Sequence, residues 1–415
     1  MTTLVTNIAQ LINTRTQSHV LRGSELAEMP VIKNAFLLIE DGIVADYGNM
    51  DDLLSKLPRL PENNIDASGQ FVLPCWCDSH THIVFAGARE AEFTDRIRGL
   101  TYADIAAKGG GILNSAKKLN EANEELLFKQ AWERLEAMAK LGTGAIEIKS
   151  GYGLTVEGEL KILRVIKKLK QQSPLTIKAT FLGAHTYPVQ FKENHEGYID
   201  LLINEMLPVI AAEKLADYID VFCETGFFSR EETTAICNAA MRYGLKPKLH
   251  VNQLNSIGGI EAGIQLNALS LDHLETLTDA DISKLSDGKW QGISTLLPTA
   301  AFFLGMHYPP ARKLIDAGAA LALATDYNPG SSPSGNMNLV VAMSCIQMKM
   351  LPEEAINAAT INGAYAMECG DQLGSITIGK KANLIFTKPI PSLAYLPYSF
   401  GTNLIDKVMI NGRFV

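Results

Sequence analysis

CDSHTHIVFAGARE (residues 77–90) follows an apolar run and holds two histidines, His80 and His82, one residue apart. On a strand, alternate side chains share a face, so His-x-His at a strand end aims two imidazoles at one point. Imidazole is the commonest protein ligand for a divalent metal. The pair alone decides nothing, because any two strand residues two apart share a face. Its meaning depends on whether the remaining chain brings further ligands to strand ends.

Between residues 72 and 369, short apolar runs alternate with helical patterns. NEELLFKQAWERLEAMAKLG (123–142) has apolar residues at helical spacing and a glycine stop. LKILRVIKKLKQQSP (160–174) is a second helix, with its lysines on the solvated face. FVLPCWCDSHTH is the first of eight strand-like runs, each read as ending in polar residues. The others are GAIEIKSGYG, IKATFLGAHTYP, YIDVFCETGFF, LKPKLHVNQ, ALSLDHLE, GISTLLP and ALALATDYNP. Eight β-α units of this size fit a (β/α)8 barrel of the TIM type. A doubly wound open sheet would carry a glycine-rich turn after its first strand, where this chain has His-Thr-His. The two ends of the chain look alike instead. AFLLIEDGIVADYG (35–48) is a hairpin turning at Asp41-Gly42, and DKVMINGRFV (406–415) is another turning at Asn411-Gly412. The expected α/β architecture is a barrel over 72–369 plus a small β-sandwich domain built from 1–71 and 370–415.

With 47% hydrophobic and 20% charged residues, the composition is that of a soluble globular protein. The net charge of −8 and the lack of a basic block exclude nucleic acid and an anionic membrane surface as expected partners. IDAGAALALAT (315–325) is too short to span a bilayer. MTTLVTNIAQLIN lacks the basic and apolar regions of a signal peptide, so a cytoplasmic location is expected. The six cysteines lie in apolar contexts without a disulfide pattern. Cys75-Trp76-Cys77 reads as a buried strand, because no second cysteine pair completes a zinc site.

In a barrel, catalytic side chains come from the C-terminal ends of different strands. The polar residues at those ends are His80 and His82, Lys149 and Tyr152, His185, Glu224, His250 and Gln253, His273 and Glu275, and Asp326 and Asn328. Five of the eight histidines fall there, while His19, His195 and His307 do not. Histidines scattered through a core would not respect strand ends in this way. The favoured ligand set is His80, His82, His250 and Asp326, whose three nitrogens and one carboxylate suit one divalent metal, zinc or iron. Such a set leaves room for a water, whose pKa a metal lowers to about 7. His273 is read as a base or as a donor to the developing oxyanion. The alternative is a core histidine bonded to a backbone carbonyl.

DSHTH after a strand, one histidine on the fifth run, another on the sixth and ATD on the eighth resemble the amidohydrolase superfamily. HTHIVFAGAREAEFTDRIRGLTYADIAAKGGGI, IEIKSGYGL, TFLGAHTYP, DVFCETGFF, LHVNQLNSIGGIE, LDHLE, TLLPTAAFFL and ATDYNPGSSPSGNM are similar, within it, to the imidazolonepropionase family. These stretches run through most of the chain. The resemblance implies a mononuclear metal hydrolase, with zinc or ferrous or ferric iron, built as a barrel and a small β-sandwich. It implies metal at His80, His82, His250 and Asp326, and substrate contacts at Arg89, Tyr152, His185, Asn328, Gly330 and Ser331. The implied reaction, a step of histidine degradation, hydrolyses the ring amide of 4-imidazolone-5-propanoate to N-formimidoyl-L-glutamate. Arg89 and Tyr152 would then hold the substrate carboxylate by charge-assisted hydrogen bonds. The glycine-serine loop after Asp326 would bring backbone N–H groups close to the ligand.

The chain departs from the superfamily pattern in two places. Many relatives carry His-x-x-Glu on the fifth strand, with the glutamate as proton shuttle; here HVNQ places Gln253 there. Gln253 cannot accept a proton at neutral pH but can hydrogen-bond the substrate. The shuttle would fall to His273 or Asp326. The stretch before HTH is Pro74-Cys75-Trp76-Cys77-Asp78 where relatives have Pro-Gly-x-x-Asp. A binuclear member would carry a carbamylated lysine on the fourth run, which here ends in Glu224; Lys149, on the second, is read as structural. One rival is a deaminase of the same superfamily acting on a cyclic amidine or purine, against which Gln253 speaks. A non-catalytic scaffold is the other, against which the intact ligand set speaks. KGGGILNS (108–115) lacks the Gly-Lys-Ser/Thr of a phosphate loop and reads as a loop at the barrel mouth, covering the site by the resemblance. A homodimer is compatible with an enzyme of this size.

Overall fold

Both ends of the chain pair into one sheet in the computed structural model, which describes residues 1–100 and 110–415. Strands β1 (Thr2–Ile12), β2 (Val31–Glu40), β3 (Ile43–Asn49), β4 (Asn64–Asp66) and β5 (Phe71–Pro74) come from the N-terminal part. Strands β14 (Leu384–Thr387), β15 (Ile405–Ile410) and β16 (Arg413–Phe414) come from the C-terminal part. Their order is β16-β15-β14-β5-β1-β2-β3, with β4 on β1. The two ends join where β5 runs antiparallel to β14, with Leu73 opposite Ile385. Both hairpin turns form where the sequence places them. Asp41 and Gly42 have φ of 49° and 82°, and Asn411 and Gly412 have φ of 49° and 74°. Positive φ at both central residues is what a two-residue turn matching the strand twist requires, and Asp-Gly and Asn-Gly tolerate it. Val44 on β3 and Met409 on β15 share one buried cluster, so the sheet curls over a core of its own.

The remaining strands are β6 (Trp76–Thr81), β7 (Thr143–Lys149), β8 (Thr176–Ala184), β9 (Tyr218–Cys223), β10 (Lys246–Val251), β11 (Ser270–His273), β12 (Ile293–Leu296) and β13 (Leu321–Leu323). They lie in sequence order and pair in parallel, as a (β/α)8 barrel requires. The ring closes between the C-terminal end of β6 and the residues just past β13. There the Asp326 N–H donates to the His80 carbonyl at 2.9 Å, and the His82 N–H to the Tyr327 carbonyl at 2.9 Å.

The run FVLPCWCDSHTH is two strands rather than one. Phe71–Pro74 belongs to the terminal sheet and Trp76–Thr81 to the barrel. Pro74 has no N–H to donate, and the Cys75 N–H turns to the Asn383 carbonyl at 3.0 Å. The second helix spans Val156–Gln172, starting four residues before Leu160, because the Thr155 side chain caps it through the Gly158 N–H. Its first turn, VEGE, is too polar to show the apolar spacing that marks the rest. Lys108 and Gly109 of KGGGILNS lie outside the described residues. Ile112–Glu121 is a helix that buries Ser115 and Ala116, so the ILNS part is not a loop. Among the described residues, no helix is long and apolar enough to cross a membrane.

The helical turn Gly363–Tyr365 presses on β6. A Cβ at Gly363 would lie 2.3 Å from the Cys77 carbonyl oxygen, a backbone atom that cannot swing aside. Gly363→Ala is therefore expected to destabilise the chain by roughly 1–3 kcal/mol in urea unfolding. Unchanged stability would contradict this packing.

Candidate metal centre

The sequence places its proposed ligands on three different elements, and the fold brings them to one point. One nitrogen from each of His80, His82 and His250 lies within 4.8 Å of the others. Asp326 Oδ1 stands 3.5 Å from His80 Nε2 and 3.6 Å from His82 Nε2. All four side chains are buried. Each imidazole is fixed through its other nitrogen. His80 Nδ1 donates to Asp272 Oδ2 at 2.7 Å, His250 Nδ1 to Asp220 Oδ2 at 2.9 Å, and His82 Nδ1 to the Ser150 carbonyl at 3.3 Å. Acceptors at Nδ1 put the proton there and leave Nε2 free to bind a metal.

His80 Nε2 is buried with no hydrogen-bond partner. An orphaned buried polar atom costs free energy, and a cation coordinated there removes the cost. Burial, with help from neighbouring imidazoles and Lys149, holds His80, His82 and His250 well below the usual histidine pKa. Neutral imidazole is the metal-binding form. The residues present thus fit one divalent cation held by three nitrogens and one carboxylate. Backbone strain collects at the same place. Asp326 has φ of 52° and His273 φ of 85°, both in the left-handed region that non-glycine residues avoid.

Sequence reasoning missed the carboxylates that aim the ligands. Asp220 and Asp272 are fully buried in strand interiors, not at strand ends. The available signal was a charge inside an apolar run, as in YIDVFC and SLDH. Asp78 was missed as well. It accepts from the Thr325 N–H at 3.0 Å and Oγ1 at 2.6 Å, latching β6 to the residue before Asp326. Lys149, Glu147 and Lys248 complete the buried charges around Asp220 and Asp272. Burial alone would lower the Lys149 pKa, but Asp220, Glu147 and Asp272 outweigh it and raise the value.

A partly open cavity of about 40 Å³ lies beside the ligands. His82, His250 and Asp326 line it together with Tyr152, His185, Gln253, His273, Asn328 and Ser331 from the expected site. Phe222, not foreseen, completes the wall. His185 stacks parallel to His82 at 5.5 Å, and Tyr152 stands edge-on to both rings. Burial pulls the His185 pKa down to about 4, so its ring is neutral. The loop carrying Tyr152 is shaped by Glu159, which accepts from the N–H groups of Gly151, Gly153 and Leu154.

His273 Nδ1 meets Glu275 Oε1 at 3.4 Å, so its partner there is a carboxylate and not a backbone carbonyl. Burial would lower the His273 pKa, but Glu275 and then Asp326 outweigh it and leave the value raised. Burial lifts the Asp326 carboxyl to about 7, against the pull of His273. Glu224 stays out of the cavity and accepts from the N–H groups of Leu254 and Asn255, which follow Gln253.

Arg89 and Gly330 lie beside the cavity rather than in its wall. Arg89 Nε pairs with Glu92 Oε2 at 3.0 Å, and a Cβ at Gly330 would lie 2.1 Å from Arg89 Nη1. The missing side chain at Gly330 therefore makes room for the guanidinium. The N–H groups of Gly330 and Ser331 were expected to face a ligand. Both donate instead to Asn328 Oδ1 at 2.8 Å, because that amide folds back over its own turn. Removing an outer partner of a metal-binding histidine costs 10–100-fold in affinity as a rule. Asp272→Asn should thus weaken zinc binding by about ten-fold or more in chelator competition, and an unchanged affinity would contradict the role given to this carboxylate.

The amidohydrolase family model matches residues 71–415. An imidazolonepropionase of Flavobacterium johnsoniae is 60% identical, with 100% of both chains covered. One of Christiangramia forsetii is 56% identical, again over 100% of each chain. One of Clostridium tetani is 43% identical, covering 95% of this chain and 93% of the relative. Among solved structures, an adenosine deaminase of Xanthomonas campestris with bound zinc aligns with a TM-score of 0.70 at 15% identity, over 99% of this chain and 92% of that one. A guanine deaminase of E. coli aligns with a TM-score of 0.72 at 14% identity, over 100% and 99%. At such low identity these structures speak for the shared fold alone. The family match over residues 71–415 and the full-length relatives at 56–60% identity settle the kinship: the chain belongs to the amidohydrolase family, on its imidazolonepropionase branch.

Proposed function

We propose that this protein hydrolyses the ring amide of 4-imidazolone-5-propanoate, giving N-formimidoyl-L-glutamate, with one zinc or iron ion. One observation carries the reading. Three buried imidazoles and a buried carboxylate converge on one point, on a chain 60% identical to an imidazolonepropionase. His80, His82, His250 and Asp326 would hold the ion. When bound, it would lower the pKa of a water and polarise the ring carbonyl.

The chain's own residues manage the proton and the developing charge. Asp326, with Oδ1 turned toward the histidines, accepts a proton from the attacking water. His273, kept protonatable by Glu275, donates to the oxyanion that forms on the carbonyl oxygen. The carbonyl carbon gains an oxygen, the carbon–nitrogen bond breaks, and the departing ring nitrogen takes up the proton. Gln253 lacks a basic lone pair and serves as a hydrogen-bonding partner of the ring. Arg89 and Tyr152 bind the propionate by charge-assisted hydrogen bonds. His185, Asn328 and Ser331 shape the space for the ring, and Gly330 leaves room for Arg89. Six free cysteines, five of them buried, support action in the reducing cytoplasm.

The test is an imidazolone-consumption assay on metal-loaded protein, with metal analysis alongside. Wild type should turn over, His250→Ala should lose both metal and turnover, and Arg89→Met should keep its metal while KM rises at least about ten-fold. Metal-loaded wild type that releases ammonia from guanine or cytosine and leaves the imidazolone untouched would contradict the proposal.

A further inference from the structure

Lys149 is the last residue of β7, fully buried, and takes no part in the chemistry described above. An ammonium has three donors. Those of Lys149 face three carboxylates on three strands: Glu147 Oε1 at 2.6 Å, Asp220 Oδ2 at 2.8 Å and Asp272 Oδ2 at 3.5 Å. The last two contacts involve particular atoms. Asp220 Oδ2 is the oxygen that accepts from His250 Nδ1, and Asp272 Oδ2 is the oxygen that accepts from His80 Nδ1. The other oxygens of the two aspartates are also tied. Asp220 Oδ1 accepts from the His250 N–H at 3.1 Å, and Asp272 Oδ1 from Ser270 Oγ at 2.6 Å. The third imidazole refers to the same point of the chain, since His82 Nδ1 donates to the carbonyl of Ser150, the next residue.

We propose that Lys149 is a positioning residue for the metal: its one ammonium links the two carboxylate oxygens that aim His250 and His80, so the end of β7 sets the geometry of all three imidazoles. The inference rests on the ligand assignment above. A buried ion network is costly to desolvate, and apolar side chains of similar size would stabilise a barrel interior at least as well. What apolar side chains cannot supply is a shared positive charge, hydrogen-bonded to Asp220 and ion-paired with Asp272, between two aspartates on different strands. Lys248 offers the contrast. It is buried in the same network and donates to Glu147, but its other hydrogen bonds run to the Ser79 and Ala366 carbonyls and not to Asp220 or Asp272.

The experiment compares the full-length wild type, Lys149→Met and Lys248→Met, each freed of metal. Zinc affinity is measured by chelator competition, and the visible spectrum is recorded with cobalt(II) in the site. Lys149→Met should bind zinc about ten-fold more weakly or worse, with shifted cobalt bands. Lys248→Met should stay within about three-fold of wild type, with its bands in place. If Lys149→Met does not fold, the pair Glu147→Gln/Lys149→Met keeps the net charge of the network and should show the same loss. Zinc affinity and cobalt bands unchanged in the folded Lys149 variant, or an equal loss in Lys248→Met, would overturn the inference while the ligand assignment stands. Wild type that takes up neither zinc nor cobalt would overturn the ligand assignment itself, and this inference with it.

Discussion

One backbone hydrogen bond, from the Asp326 N–H to the His80 carbonyl, carries the architecture and the site together. Together with the His82 N–H bond to the Tyr327 carbonyl, it closes the barrel between the first and last strands. By the same contact it sets a carboxylate from residue 326 beside imidazoles from residues 80 and 82. Asp78, bonded to Thr325 on the same seam, makes the closure side chain to backbone as well as backbone to backbone. The left-handed backbone at Asp326 is the strain accepted for this arrangement.

The site then follows from burial. Imidazoles sealed from water stay neutral, two carboxylates and a carbonyl behind them choose which nitrogen carries the proton, and one nitrogen is left with nothing to bond. These are the conditions under which a protein binds a divalent cation rather than filling its core. Around the ligands, the neighbouring loop is equally constrained. Arg89 reaches its place only because residue 330 has no side chain, and Asn328 consumes the N–H groups of its own loop.

Much of this was legible in the sequence, for a physical reason. Strand ends can be read where an apolar run stops, and His80, His82, His250, His273 and Asp326 all stand at such stops. The hairpin turns were legible because Asp-Gly and Asn-Gly tolerate positive φ. Asp220 and Asp272 were not found, since a lone charge inside an apolar run looks like noise until its partner on another strand is known. The division of the first run at Pro74 depends on which sheet receives the strand, and that is a tertiary choice. The start of the second helix at Val156 was masked by a polar first turn, and the use of loop N–H groups by Asn328 depends on a turn geometry that spacing does not encode.

The central claim is that three Nε2 atoms and Asp326 grip a single metal. X-ray absorption at the zinc edge of zinc-loaded protein tests it most directly. Nitrogen and oxygen scatterers are expected at about 2.0–2.2 Å, with the outer-shell pattern of three imidazoles and no sulfur. A sulfur shell at about 2.3 Å, or fewer than three imidazoles around the zinc, would contradict it.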